Sequence, residues 1–435
     1  MDSIKTTAIV LFLLTYISLL LFPKARAYIA LASAAVFVAL GILPAEKVAA
    51  TVDWNVIMMI VGTMGVVSLF IESKMPSLLA DLIIEKTPNV KWAIISLALF
   101  AGIISAFVDN VATVLMVAPV ALNISKKLKI SPVPSIISIA ISSNLQGAAT
   151  LVGDTTSILL GGHANLDFLD FFFYQGKPGM FWVVQAGAIV STFVLLWLFR
   201  KEKQPISTME RTEVKDYFPS ILLISMIVLL ILASFVPNEF TLGSLRMTKP
   251  ATINGIICMA LFVIGMIRSL FLRKDFKVVT NALKEIDYFT ILLLAGLFIV
   301  IGGITEAGVV KDISQIFVKA SGGNLFIIYT LIVWASVLFS AFIDNIPYVA
   351  TMLPVTGAIA ASMGIEPTIL YFGLLSGATL GGNLTPIGAS ANIAGIGILR
   401  KDGYEVAAWD FMKISIPFTL AAVITGYILV WLIWA

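Results

Sequence analysis

Two Asp-Asn pairs, Asp109-Asn110 and Asp344-Asn345, are the residues of this chain best suited to chemistry. Each lies inside a long apolar run, and each belongs to a longer repeat. Ser105-Ala106-Phe107-Val108-Asp109-Asn110-Val111 returns as Ser340-Ala341-Phe342-Ile343-Asp344-Asn345-Ile346, 235 positions later. A charged side chain at membrane depth costs roughly 2.5 kcal/mol or more, so it persists where it faces a cavity or a partner. A carboxylate beside an amide carbonyl offers hard oxygen ligands for Na⁺, or a site for H⁺. Asp109, Asn110, Asp344 and Asn345 are therefore read as the metal (Na⁺) and coupling-ion residues. Asp and Asn are also ordinary helix N-caps, and one residue can serve both purposes.

The same offset relates a second constellation. Asn144, Thr150, Gly153, Asp154 and Thr155 stand in one glycine-rich stretch, and Asn383, Thr385, Gly388, Ser390 and Asn392 in the other. Thr150 maps onto Thr385 and Gly153 onto Gly388, but Asp154 maps onto Ala389, so the two stretches are chemically unequal. Unwound backbone at membrane depth is tolerated only where protein buries it or a water-filled cavity meets it. Both stretches are read as binding loops in broken helices, with Asp154 or Ser390 capping the half-helix that resumes. Neither the loops nor the Asp-Asn tips contain Lys or Arg. Asp109, Asp154 and Asp344 thus favour a cation, as substrate or as coupling ion.

These residues need elements to position them. Apolar runs predict spans near 6–22, 28–43, 55–71, 180–199, 218–236, 250–272, 288–304 and 413–434. Runs 132–162 and 367–399 exceed the about 20 residues of one straight crossing, and Gly, Asn and Thr interrupt them, so they are expected as broken helices. Runs 92–122 and 325–356 hold the Asp-Asn pairs and are expected as re-entrant hairpins. Charge supports that reading. Lys91 precedes the first hairpin and Lys126, Lys127 and Lys129 follow it, whereas Gly357 to Glu366 after the second has no basic residue. With ten spans, two opposed hairpins and both termini outside, only Lys5, Lys47, Lys177, Arg246, Lys249, Lys311 and Lys319 of the 28 basic residues face outward. That is the bias the positive-inside rule requires.

The expected fold is therefore an all-α polytopic membrane protein of two inverted repeats. Residues 1–27 are a first span and loop, 28–199 repeat 1, 200–249 a cytoplasmic linker and span, and 250–435 repeat 2. Two matching carboxylates and two glycine-rich breaks at membrane depth mark a secondary transporter. Segments 75–86 and 309–320 are amphipathic and are expected at the interface. Glu72, Glu306, Asp53 and Asp287 flank matching spans and are read as interfacial, and His163 as a loop residue. Thr6 to Phe22, followed by Pro23-Lys24-Ala25-Arg26, is read as a span rather than a signal peptide.

Composition narrows the class. The 435 residues are 59% hydrophobic and 12% charged, with mean hydropathy +1.02, which indicates a multi-pass integral membrane protein with the lipid bilayer as its partner. A net charge of +3 implies no nucleic acid. One cysteine, Cys258, and one histidine exclude a disulfide framework and a Cys- or His-based metal site. No His-Glu-x-x-His motif is present, so an enzyme is not expected and no cofactor beyond Na⁺ or H⁺ is called for.

At these motifs the chain resembles the ion transporter superfamily, and within it the branch of arsenite permeases, NhaD-type antiporters and the P protein. The likeness rests on Phe107 to Thr113, Gly147 to Asp154, Ile343 to Pro354 and Leu380 to Asn392, which adds Thr113 to the candidate site. It is similar in plan to the divalent anion/sodium symporters, which carry Ser-Asn-Thr at the hairpin tips where this chain has Asp109-Asn110-Val111 and Asp344-Asn345-Ile346. That departure argues against dicarboxylates. The resemblance implies a homodimer whose transport domain of hairpins and broken helices moves against a scaffold; if the source is prokaryotic, the expected location is the plasma (inner) membrane. The leading expectation is a secondary transporter of an inorganic ion, either an arsenite or oxyanion permease or a Na⁺/H⁺ antiporter. A sodium-coupled di- or tricarboxylate symporter and an anion channel are the alternatives.

Overall fold

The computed structural model describes residues 3–205, 211–237, 239–242 and 245–435. Residues 206–210 of the expected linker and the side chain of Arg246 lie outside the described residues. The chain opens with α1 (Ser3–Leu21), α2 (Arg26–Ala39) and a short α3 (Val48–Thr51). Next come α4 (Trp54–Glu72), α5 (Met75–Glu85), α6 (Val90–Ser105), α7 (Asn110–Leu128), α8 (Val133–Gly147), α9 (Thr155–Ala164) and α10 (Met180–Leu198). After α11 (Phe218–Ser234), α12 (Ile253–Ile267) and α13 (Phe276–Lys284), the same order returns. It runs α14 (Tyr288–Glu306), α15 (Val309–Ala320), α16 (Leu325–Ser340), α17 (Asn345–Met363), α18 (Thr368–Gly381), α19 (Ser390–Lys401) and α20 (Ala408–Trp434).

Among the described residues, eight helices are long and apolar enough to cross a membrane, or up to nine if α15 and α16, bent by 116°, act as one span. This is fewer than the ten expected spans. Expected spans 28–43 and 218–236 form helices of only 14 and 17 residues, α2 and α11, and the long runs 132–162 and 367–399 divide into α8 with α9 and α18 with α19, each of 15 residues or fewer. Conversely α7 and α17, expected as hairpin arms, are each 19 residues long. The fold is also not purely helical. Phe173–Tyr174 pairs with Lys177–Pro178 because Gln175 and Gly176 both adopt positive φ, at 49° and 76°, as a two-residue hairpin turn requires. A second hairpin pairs Glu239–Leu242 with Leu245–Thr248.

Packing follows the sequence repeat. α4 crosses α12 and α14 crosses α2, and these are among the most extensive helix pairs, together with α6 on α8 and α16 on α18. The crossings are close because glycine faces backbone. A Cβ on Gly62 would lie 2.4 Å from the Cys258 carbonyl carbon, and one on Gly296 would lie 2.6 Å from that of Ala30. Small residues at such crossings let helices gain van der Waals contact where lipid supplies no hydrophobic drive. The two halves also interlock, since α9 packs on α17 and α19 on α7. Away from these seams the helices present apolar stripes at helical spacing, such as Ile189, Phe193 and Trp197 on α10, all exposed as a lipid-facing surface should be.

Candidate functional site

Both Asp-Asn pairs sit where a helix begins. Asp109 caps α7, its Oδ1 accepting the Val111 and Ala112 N–H groups at 3.0 Å each. Asp344 caps α17, its Oδ1 accepting the Ile346 N–H at 3.1 Å. Each carboxylate therefore stands at the partial positive charge of a helix amino end. The capping and ion-binding readings are compatible, because one oxygen of each group remains for another partner. Thr113 donates to the Asp109 carbonyl at 3.0 Å and steadies this first turn.

The glycine-rich breaks pack against the ends of the helices before those caps. Thr150 donates its hydroxyl to the Ala106 carbonyl, and Thr385 to the Ala341 carbonyl. A Cβ on Gly153 would lie 2.7 Å from the Gly147 oxygen and 2.8 Å from that of Ser105. At Gly388 the corresponding approaches are 2.6 Å to Gly382 and 2.8 Å to Ser340. Only glycine fits these two positions. Ser157 donates to the Gly147 carbonyl at 3.1 Å, and Asn392 to that of Gly382 at 3.1 Å, so two different residue types close the same loop. The Oδ1 of Asn392 is buried without a hydrogen-bond partner.

A buried amide chain joins the two breaks. Asn110 Nδ2 donates to Asn144 Oδ1 at 2.9 Å, and Asn144 Nδ2 to the Thr379 carbonyl at 2.7 Å and to Asn383 Oδ1 at 3.1 Å. Asn383 Nδ2 in turn reaches the Ile141 carbonyl at 2.8 Å. Asp154 accepts from the Thr156 hydroxyl at 3.0 Å, and Thr156 pairs with Thr379 at 3.0 Å. Asp154 occupies the N-cap position of α9, but its side chain caps none of the helix's first N–H groups and takes the Thr156 hydroxyl instead. The expectation that Ser390 caps the second half-helix is corrected: Ala389 holds the N-cap and Ser390 is the first residue of α19. The repeat register fixes this, since Ala389 stands where Asp154 does.

A cavity of about 140 Å³ gathers part of this set. Asp109, Asn110, Asp154, Thr155, Asn345 and Ser390 line it, facing Met64 and Ser68 of α4 and Glu285, Asp287 and Thr290 at the start of α14. Thr113, Asn144, Thr150, Gly153, Asn383, Thr385, Gly388 and Asn392 do not line it, although Thr113 bonds to Asp109 and Asn144 to Asn110, which do. Asp109, Asp154, Glu285 and Asp287 give the lining four carboxylates, and among the described residues no Lys, Arg or His lines it. The carboxylates do not converge: among the described residues no three His, Cys, Asp or Glu side chains form a metal cluster. A cation here would meet one carboxylate and neutral oxygens.

Three findings depart from the sequence reading. Asp287, read as interfacial, lines the cavity while capping α14 through the Thr290 N–H at 3.0 Å. Asp344 does not line it, and Arg26 Nη1 lies 3.3 Å from its Oδ2. Arg26 comes from the start of α2, 318 positions away, so local sequence carried no signal of it. His163 lies not in a loop but in the last turn of α9, which ends at Asn165 with φ 53°. It lines a second, larger cavity of about 1120 Å³ with Asp53, Asn254, Lys47 and Glu306. The two cavities lie at opposite ends of α4 and α14. The first meets Ser68 and Thr290, the second Asp53 and Thr305.

Known proteins agree with this architecture. A family model described as a citrate transporter (CitMHS) matches residues 9–377. A 46 kDa membrane protein of Mycobacterium leprae is 30% identical over 98% of both chains. An uncharacterized transporter of Mycobacterium tuberculosis is 29% identical over 93% of both. The mouse P protein is 26% identical over 91% of this chain and 56% of its own length, as the motif resemblance led one to expect. Among solved structures, the YdaH transporter of Alcanivorax borkumensis aligns with TM-score 0.59 at 14% identity, covering 93% of this chain and 96% of its own. MtrF of Neisseria gonorrhoeae, described as an antimetabolite efflux pump, aligns with TM-score 0.54 at 16% identity, covering 87% and 80%.

Proposed function

The chain belongs to the CitMHS citrate transporter family, a family of multi-pass membrane transporters, and on that premise we propose that it is a cation-coupled secondary transporter of an inorganic ion, with Asp109 holding the coupling Na⁺ or H⁺. The observation that carries this reading is the acid-lined cavity. Its lining holds four carboxylates and, among the described residues, no basic side chain, so a cation meeting Asp109 there is favoured over an anion. Asn110 and Asn345 add amide oxygens, and the α7 amino end keeps Asp109 in place. The transported ion is then exchanged against the coupling cation, as in a Na⁺/H⁺ antiporter, or moves with it, as in an arsenite or oxyanion permease.

Alternating access follows from the repeat. Ion pairs between elements join residues of one expected side: Lys5–Asp312, Lys47–Glu306 and Lys249–Asp167 outside, Lys126–Asp402, Arg211–Glu85 and Arg268–Asp216 inside. This supports the inverted topology with opposed hairpins α6–α7 and α16–α17. In that frame the Asp109 cavity, with Asp287 at its rim, opens inward. The larger cavity at Asp53 is the outward half of the path. Movement of the hairpins and broken helices as a transport domain exchanges Asp287 for Asp53 as the neighbour of Asp109.

A second reading, a cation-coupled carboxylate symporter, is favoured by the description of the family. The acidic lining would then admit citrate only with its charge compensated by co-bound cations. Proteoliposomes carrying an internal pH dye discriminate these, with Na⁺, Li⁺, K⁺, arsenite, citrate and succinate added in turn. A pH change on Na⁺ or Li⁺ addition, absent in Asp109→Asn, supports antiport. Cation-dependent uptake of labelled arsenite or citrate identifies the co-transported solute. Transport indifferent to Na⁺, to pH and to Asp109→Asn sinks the proposal.

A further inference from the structure

We propose that Arg26 is a built-in counter-cation for Asp344, so that each protomer carries one exchangeable coupling cation, at Asp109, and not the two that the repeated Asp-Asn motif suggests. This rests on the cation-coupled reading above and specifies its site count. The two carboxylates are matched in sequence and in capping role, yet their remaining oxygens meet different surroundings. Asp109 lines the acidic cavity, and among the described residues no basic side chain pairs with it. Asp344 is paired with Arg26 at 3.3 Å, and the two side chains are only 22% and 16% exposed. Arg26 is itself oriented by a hydrogen bond from Nε to the Leu19 carbonyl at 3.1 Å. Nearby, Tyr16 Oη donates to the Pro347 carbonyl at 3.1 Å, so the α1–α2 corner is fixed over the start of α17 by two independent contacts.

The repeat explains why only one carboxylate is neutralised. Ala30 meets Gly296 as Cys258 meets Gly62. Counting back four residues from each crossing gives Arg26 on α2 and Asn254 on α12. The position that is cationic for one half is thus neutral for the other. Asn254 is 5% exposed, its Oδ1 lacks a hydrogen-bond partner, and the residue lines the large cavity. When the transport domain faces that cavity, an Asn at the place of Arg26 supplies Asp109 with a neutral oxygen rather than a competing charge. A second mobile cation at Asp344 would have to share one carboxylate with a guanidinium in a low-dielectric setting, where like charges repel strongly.

The count of bound cations tests this. Purified full-length protein is titrated with ²²Na⁺ by equilibrium dialysis, with displaced protons recorded by a pH indicator in parallel. The wild type is expected to exchange one cation per protomer, Asp109→Asn none, Arg26→Lys one and Arg26→Gln two. Because Arg26→Gln leaves a buried carboxylate unpaired and folds less readily, the double variant Arg26→Gln/Asp344→Asn serves as a second arm and should exchange one. Two cations in the wild type, one in a folded Arg26→Gln, or none in the double variant would overturn the proposal while leaving cation coupling intact. A wild type that exchanges no cation, and whose transport ignores Na⁺ and pH, sinks the functional reading and this one together.

Discussion

Asp109 and Asp344 show how identical residues in repeated motifs meet different neighbours: Asp109 lines the acidic cavity and Asp344 pairs with Arg26. Replacing Asp109 with Asn preserves an acceptor for the Val111 and Ala112 N–H groups but removes the charge. The expected result is a folded protein whose cation-dependent transport falls by at least tenfold, measured in proteoliposomes against a thermal melt that shifts little. Asn144 predicts the opposite pattern. It does not line the cavity, is fully buried and satisfies three partners. Asn144→Leu strands Asn110 Nδ2 and Asn383 Oδ1, at about 1–3 kcal/mol for each buried group left unpaired. It should lower the melting temperature first and transport as a consequence. Both aspartates were legible in the sequence because each cap is built from residues adjacent in the chain and the pattern occurs twice. Arg26 and Asp287 were not, because only tertiary packing brings them to the site, Arg26 from the start of α2 and Asp287 from the start of α14. Ser390 was misread as a cap by a single position, since a Ser before a helix is a common N-cap and only the register against Asp154 reveals that Ala389 takes that place.

At the scale of elements, the breaks between α8 and α9 and between α18 and α19 were foreseeable from runs too long for one crossing and from Gly, Asn and Thr within them. Their internal geometry was not, because the close approaches involve backbone from other helices. Gly153 and Gly388 press on carbonyl oxygens of their own loop and of the helix that precedes each Asp-Asn pair. Alanine at either position meets backbone at under 3 Å and cannot be accommodated by a side-chain shift. Gly153→Ala and Gly388→Ala are each expected to displace the loop and abolish transport, with similar loss of monodisperse protein in detergent because the two environments match. If one alanine is tolerated, the two breaks are not mechanically equivalent. Gly62→Leu and Gly296→Leu should likewise separate α4 from α12 and α14 from α2, lowering the melting temperature rather than the cation dependence. The hairpin at Phe173–Pro178 escaped the sequence reading because its two strands are two residues each, and Gln175-Gly176 is a weak turn signal.

On the scale of the whole molecule, the linker between halves is anchored by charge. Asp216 accepts from Arg268 at 2.8 and 3.1 Å and from Arg273 at 2.8 Å. Burial pushes the Asp216 carboxyl up, but hydrogen bonds from Arg268 and the Phe218 N–H, with the charges of Arg268 and Arg273, outweigh it and hold the group below the ordinary carboxylate range. A carboxyl lowered on folding contributes stability that is present above its unfolded value, about 3.9, and is lost as pH falls through the folded value. Wild type should therefore melt higher than Asp216→Asn at pH 7, and the difference should shrink as pH drops below about 4. The same ion pairs bear on orientation. Arg268–Asp216 and Lys126–Asp402 fall on the side that the positive-inside count makes cytoplasmic, whereas Lys47–Glu306 and Lys249–Asp167 fall on the other. Opposed repeats require both assignments at once, and parallel ones would mix them. With Cys258 replaced by Ser, single cysteines at Lys47 and Glu366 should react with an impermeant maleimide added outside intact cells, and cysteines at Lys127 and Lys401 only after permeabilisation. Labelling of Lys127→Cys in intact cells would reverse the side assigned to the Asp109 cavity and make it the outward half of the path. Labelling of both Glu366→Cys and Lys127→Cys from outside would remove the inverted topology itself, because the two positions follow matching hairpins and opposed repeats cannot place them on one face.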